Sequence, residues 1–162
     1  MTTRAGLSEY AVAISTTTST DGLSPLGDII YIATNEVQPK WKLDSKIIYT
    51  PGRQSFSVRD AKKHWSVNIS SAYFKADVTS TPMDELNAIT KYIEDWTDLS
   101  HAPVYLFIAN GGLDGTYVNM KFRDNTGTDR GHLGGFPVSF DPKLKGKITY
   151  VEAGIGFNEC WS

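Results

Sequence analysis

The chain has 162 residues, with 16 Lys and Arg against 18 Asp and Glu and a single Cys. A chain of this length fits one domain that buries about 68–70% of its unfolded surface, so it needs neither disulfides nor a structural metal to be stable. A charged fraction of 21% and a net charge of -2 exclude a disordered acidic tail and a strongly basic nucleic-acid binder.

The chain lacks an apolar run long enough for a transmembrane helix, and residues 1–9 lack the pattern of a signal peptide. We therefore expect a protein that folds in a reducing cytosol. Cys160, which has no second cysteine to pair with, agrees with that expectation.

Alternation of apolar and polar residues predicts a chain made mainly of about eight short strands. The clearest strand is 63–74. The prediction places Trp65, Val67, Ile69, Ser71 and Tyr73 on its apolar face, and His64, Ser66, Asn68, Ser70 and Ala72 on its small polar face. Shorter strand signals occur at 10–14, 28–33, 47–49, 55–58, 104–108, 117–122, 138–140 and 148–156.

One segment has helical spacing. Thr81 suits an N-cap, Pro82 suits the first helical position, and apolar residues then recur every three or four positions up to Trp96. We therefore predict one helix over about residues 82–97. The predicted fold class is mainly β: an antiparallel β-sandwich or barrel flanked by this one α-helix, in a single domain spanning 1–162.

Charge is unevenly distributed along the chain. Residues 40–63 hold seven basic residues against two acids, a net of +5, and residues 77–98 hold six acids against one lysine, a net of -5. The two blocks are either solvated faces or the two sides of a subunit interface, in which an extended basic arm at about 39–63 on one copy meets the acidic helix of the next. The second interpretation places these residues at the interface: Lys40, Lys42, Lys46, Arg53, Arg59, Lys62, Lys63, Asp84, Glu85, Glu94 and Asp95.

The sequence contains no catalytic or metal-binding motif that we recognise. A G-x-S-x-G elbow is absent, and Cys160 has neither a helix start nor a basic neighbour that would activate it as a nucleophile. His64, His101 and His132 lack the close spacing of zinc ligands, so we expect them in solvent or in turns. We accordingly expect no enzymatic activity, no cofactor and no metal.

A polar and Gly-rich stretch at 124–135 fits neither a P-loop nor an EF-hand, and predicts a mobile hairpin loop. The chain has four tryptophans, Trp41, Trp65, Trp96 and Trp161. We favour packing of these side chains in the core or at an interface over a sugar-stacking platform.

Two rival functions stay open. One is a carbohydrate-binding, lectin-like β-sandwich that uses exposed aromatics and the loop at 124–135, and the other is a small enzyme whose site is assembled from scattered residues.

Three segments follow one another in a particular order. A polar arm with Gly-Arg-Gln-Ser-Phe at 52–56 precedes the strand Lys-His-Trp-Ser-Val-Asn-Ile-Ser-Ser-Ala-Tyr-Phe-Lys-Ala-Asp at 63–77, and the helix begins at Thr81. The chain closes with Gly-Lys-Ile-Thr-Tyr-Val-Glu-Ala-Gly-Ile-Gly at 146–156. This layout resembles the major tail protein (tail tube) family of long-tailed bacteriophages and gene transfer agents.

The resemblance implies a β-sandwich whose sheets flank a helix, and subunits that assemble as hexameric rings. Strands of neighbouring copies would close a continuous β-barrel around a lumen, and the rings would stack into a tube for DNA. The implied partners are other copies of the chain, tape-measure and tail-terminator proteins, and DNA that passes transiently without specific binding. The implied location is the virion tail, assembled in the host cytoplasm, without membrane insertion.

Within such a tube, the small polar face of the strand at 63–74 is suited to line the water-filled lumen. Clustered Lys and Arg on the lumen wall would hold the phosphates of passing DNA. We therefore expect the basic segment to lie between subunits or rings.

Overall fold

A computed structural model of the chain describes residues 12–34, 36–52, 54–75, 81–111, 117–124, 126–144 and 150–160. The described part is mainly β with a single helix and antiparallel sheets, which confirms the predicted fold class. The elements are β1 (Val12–Thr18), β2 (Pro25–Thr34), β3 (Val37–Tyr49), β4 (Ser55–Lys75), α1 (Pro82–Trp96), β5 (Val104–Gly111), β6 (Tyr117–Asn119), β7 (Phe122–Arg123), β8 (Asp129–Arg130), β9 (Leu133–Lys143) and β10 (Tyr150–Glu159).

Six antiparallel strands close a barrel. The strand order is β1-β2-β4-β10-β9-β5, and β5 pairs back with β1 through Val12↔Ile108 to Ser15↔Tyr105. The core is built from aliphatic and aromatic side chains that these strands turn inward, such as Ile14, Ile69 and Phe157. Burial of such side chains is the main stabilising contribution to a fold of this kind.

The helix follows the predicted pattern closely. Thr81 is the N-cap and Pro82 stands at the helix start; the Thr81 side chain accepts a hydrogen bond from the backbone N–H of Asp84, whose carboxylate accepts one from the backbone N–H of Thr81. This reciprocal pair is a capping box. The helix ends at Trp96, and Thr97 is its C-cap. The buried stripe packs α1 against β4, β9 and β10: Leu86, Ile89, Ile93 and Trp96.

A β-bulge in β4 overturns part of the predicted facing. The pairing with β10 shifts between Ala153↔Ala72 and Ile155↔Ile69, so β4 contains one residue more than β10 between these two pairs. The extra residue reverses the alternation beyond it. Ala72 is therefore fully buried in the core and does not lie on the polar face as predicted. Tyr73, predicted on the apolar face, is only partly buried.

Several strands differ in extent from the predicted ones. The signals at 55–58 and 63–74 belong to one strand, β4, of 21 residues. The predicted strand at 117–122 is two short strands, because β6 pairs with β5 whereas β7 pairs with β8. The stretch 124–135 is predicted as a mobile hairpin loop. β7 and β8 do pair as a hairpin, but the stretch also holds the start of β9, and residues 131–135 are buried.

Candidate assembly interface

The long strand β4 takes part both in the barrel wall and in a two-stranded ribbon with β3. Its C-terminal half pairs with β10 in the barrel wall, and its N-terminal half pairs with β3 from Val37↔Ile69 to Tyr49↔Ser55. Beyond Trp41↔Trp65, among the described strands, β3 and β4 pair only with each other. We call residues 41–65 the arm. Nine residues of β3 at about 3.3 Å per residue give the arm a length of about 30 Å.

Four neighbouring strands form a sheet with two open edges. The order is β3-β4-β10-β9. Within the described chain, β3 pairs with β4 alone, and β9 from Phe136 onward pairs with β10 alone. Pro39 lies on one edge strand and Pro137 and Pro142 lie on the other, which is where sheets tolerate proline. Open edges of this length are a template for pairing with another chain.

The outer face of this sheet is small and polar. Asn68 of β4 stands between Gln38 of β3 and Gly156 of β10, and Gly156 stands beside Ser139 of β9. The predicted polar face of β4 is confirmed at Ser66, Asn68 and Ser70, all of which are exposed, and is wrong at Ala72. Such a face borders water and does not pack against a second sheet.

Six of the seven predicted basic residues lie in the arm, and Lys40 lies just before it. Lys40 and Lys42 are exposed and lie opposite Ser66 and His64, on the outer face at the base of the arm. For four other basic residues the structure describes the backbone but not the side chains: Lys46, Arg59, Lys62 and Lys63. Arg53 lies outside the described residues.

The far end of the arm is also apolar, which the sequence analysis missed. The exposed fraction is 57% for Ile47, 38% for Ile48 and 76% for Tyr49. Trp41, at the base of the arm, is exposed as well. The signal was available, because Ile-Ile-Tyr is an apolar run inside an otherwise basic segment, but we counted it only as a short strand.

The acidic helix residues fall into two groups. Asp84 is engaged in the helix cap, and hydrogen bonds from the backbone N–H and the hydroxyl of Thr81 lower its pKa. Glu94 and Asp95 are exposed in the last turn, which contains no basic residue. Acids at this end face the negative end of the helix dipole, which is unfavourable. The side chain of Glu85 lies outside the described residues.

The ion pairs seen between described side chains involve neither β3 nor α1. They are Arg123–Asp129, Arg130–Asp124 and Lys143–Glu152. Among the predicted interface residues, Lys40, Lys42, Glu94 and Asp95 have exposed side chains.

The polar stretch before β9 is built as a structural turn. The Asp124 carboxylate accepts hydrogen bonds from the Thr126 hydroxyl at 2.6 Å, from the Thr128 backbone N–H at 2.9 Å and from Arg130 Nε at 3.0 Å. These bonds hold its pKa well below the ordinary range, the Thr126 hydroxyl contributing most. Because both carboxylate oxygens of Asp124 accept hydrogen bonds within the turn, they are not the exposed ligand oxygens that a sugar or Ca²⁺ site needs.

His132 is buried in the bend between β8 and β9, which agrees with the predicted position in a turn and not with a solvent-facing one. Its Nδ1 lies 3.0 Å from the carbonyl oxygen of Gly22, and its ring stands edge-on to Tyr105 at 5.1 Å. It therefore joins the turn between β1 and β2 to the start of β9. His64 is exposed on β4 and His101 is half-buried.

The tryptophans divide between the core and the arm. Trp96 is buried and Trp65 packs edge-on against Phe122 at 5.1 Å, which confirms their predicted positions on core faces. Trp41 is exposed, and Trp161 lies outside the described residues. Cys160 is exposed just after β10.

Two searches of the structure and two comparisons bear on chemistry. Across the described ranges, no group of three or more His, Cys, Asp or Glu residues could hold a metal ion. No helix in the described part of the chain is both long and apolar enough to cross a bilayer. The sequence matches no protein-family model, and a search of curated proteins finds no match.

Proposed function

We propose that the protein is a structural, non-enzymatic virion subunit that self-assembles into stacked rings, most simply hexameric, forming a phage-type tail tube through which DNA leaves the particle. The observation that carries this proposal is the four-stranded sheet β3-β4-β10-β9, which has an open strand on each side and a small polar outer face. The segment order that resembles tail-tube proteins supports the same conclusion.

Edge-to-edge pairing between copies explains why both edges are left open. Pairing β3 of one copy with β9 of the next satisfies backbone groups that a monomer exposes to water, and a ring closes both edges of this four-stranded sheet. The contact is heterologous, because the two edges differ, so it propagates head to tail and forms a ring where the rotation between copies closes. The prolines on both strands restrict the registers in which the edges can pair.

The polar outer face suits the wall of a channel for DNA. Residues such as Ser66, Asn68 and Gly156 present neither large apolar groups nor a cluster of cations to the lumen. Lys40 and Lys42 lie at the end of this face from which the arm extends. In the proposed tube that end is where one ring meets the next, which keeps most of the wall free of phosphate-binding groups.

Electron microscopy of the purified chain tests the proposal. We expect rings about 100 Å wide and tubes built from them, a width of several barrel diameters that a ring of six copies would need. A monodisperse monomer in light scattering, at every salt concentration tried, would overturn the proposal.

A matched pair of variants tests the edge contact itself. Val138 lies on β9 with 55% of its surface exposed, and Val118 lies on β6 with 59% exposed. Val138→Lys places a charge on the proposed edge and should prevent ring formation, whereas Val118→Lys should assemble as the parent chain does. Equal assembly of the two variants would contradict closure through β9.

A further inference from the structure

The tip of the arm has the properties of a surface that another molecule covers when the protein functions. We call Ile47–Tyr49 the arm tip. An isolated two-stranded ribbon is marginally stable in water, and three consecutive exposed apolar residues at its end add an unfavourable patch. Within the described chain, β3 pairs with β4 alone, so no third strand supports the tip.

The charge of the arm favours a second copy of this chain as the partner. Residues 40–63 carry a net charge of +5, and Lys46 immediately precedes the tip. The C-terminal end of α1 carries Glu94 and Asp95, and Asp98 follows the helix, with no basic residue in the last turn. A cation that arrives there relieves both the repulsion among the acids and their unfavourable position at the negative end of the dipole.

The same end of the helix offers apolar contacts. Leu99 is fully exposed just beyond α1, and Tyr92 is partly exposed one turn before the helix end. The arm tip combines apolar and basic residues, and the helix end combines apolar and acidic residues. The two surfaces therefore match in both properties, and because they are different surfaces they suit a head-to-tail contact.

We propose that the arm tip of one copy docks on the C-terminal end of α1 of a second copy, where Ile47 and Tyr49 pack beside Tyr92 and Leu99. Lys46 then lies near Glu94, Asp95 and Asp98. This inference rests on the proposed function in that it names the contact between successive rings. The apolar packing supplies most of the affinity, and the charges set the orientation and the rate of encounter.

Cysteine cross-linking tests the contact without depending on tube formation. In a Cys160→Ser background, one preparation carries Gln54→Cys beside the arm tip, and a second, with a longer tag, carries Ser100→Cys beside Leu99; both positions are exposed. We expect a mixed-tag dimer after treatment with a short bis-maleimide, and none when Val118→Cys replaces Gln54→Cys. Each chain then holds one cysteine, so the product reports a contact between copies only.

A second pair of variants separates the contact from misfolding. Adding Ile47→Ser to the Gln54→Cys chain should lower the yield of the mixed dimer about tenfold, the effect expected for loss of a central apolar anchor. Leu26→Ser, which removes an exposed leucine from β2, should leave the yield unchanged. Unfolding midpoints by circular dichroism show whether each variant is folded.

The outcomes distinguish this inference from the proposed function. Tubes with the mixed dimer support both, and tubes without it overturn the inference alone. The mixed dimer without rings or tubes supports the contact and overturns the tube. The absence of both overturns both.

Discussion

The carboxylate of Glu159 accepts a hydrogen bond of 2.7 Å from the backbone N–H of Trp65. The backbone pairing of β10 with β4 ends one residue earlier, at Asn158↔Ser66. The side chain of Glu159 therefore continues the ladder by one step at the point where β4 leaves the barrel. This bond therefore ties the end of β10 to the residue of β4 at the base of the arm.

Removing that carboxylate should loosen the base of the arm. We expect Glu159→Ala to cost about 1 kcal/mol of stability, the usual value for one intramolecular hydrogen bond, and to speed hydrogen exchange at the Trp65 amide. Glu159→Gln keeps an acceptor oxygen and should restore most of the protection. Unchanged exchange at Trp65 in Glu159→Ala would contradict the role.

Gly135 is required by a close approach of two strands. A Cβ at this position would lie 2.0 Å from the carbonyl oxygen of Asn158 on β10, whereas a Cβ at Gly52 would meet nothing within 4 Å. Gly135→Ala should therefore lower the free energy of unfolding by about 1–3 kcal/mol through overpacking. Gly52→Ala should be nearly neutral in the same denaturant titration. Similar losses in the two variants would show that the contact is not limiting.

The turn around Asp124 should respond to acid in a defined direction. Its pKa is lowered in the folded state by the hydrogen bonds from Thr126, Thr128 and Arg130, so the contribution to stability is complete above the unfolded pKa of about 4. That contribution is lost as the pH falls below 4 toward the folded pKa. Hydrogen exchange at the Thr128 amide should rise over this range.

Asp124→Asn provides the control for that titration. The amide oxygen can accept fewer of the hydrogen bonds and carries no charge. The variant should show raised exchange at Thr128 already at pH 7, with no further change as acid is added. A rise of the same size on acidification in both proteins would assign the effect to another group.

The capping box at the start of α1 should contribute to stability through Thr81. Thr81→Ala removes the side chain that accepts a hydrogen bond from the Asp84 backbone N–H, and N-cap changes of this kind cost about 1 kcal/mol. Thr81→Ser keeps the hydroxyl and should stay close to the parent chain. The measurement is the unfolding midpoint, and equal midpoints for the two variants would contradict the capping role.

The helix could be predicted from sequence because its determinants are local. The cap residue, the following proline and the apolar spacing up to Trp96 all lie within one short segment. The facing of Ala72 could not be predicted in the same way. It depends on a bulge that arises from pairing with β10, a strand far away in the sequence.

The surfaces that we propose for assembly could be predicted in part. The basic and acidic blocks follow from counting charges, and the exposure of Lys40, Lys42, Glu94 and Asp95 agrees with a surface position. The exposed arm tip was missed, because an Ile-Ile-Tyr run fits a core strand as well as an unsupported ribbon. Only the pairing of β3 with β4 alone distinguishes these cases.

The strand order also determines when the molecule becomes complete during synthesis. β3 and β4 meet through a short turn, so the arm can pair as soon as both strands have emerged from the ribosome. Within the described chain, β10 is the strand that pairs along one side of the barrel half of β4, so this half of β4 is completed only after β10 has been synthesised. The exposed apolar residues of the arm tip are therefore made, and can be presented to other molecules, before the core is enclosed.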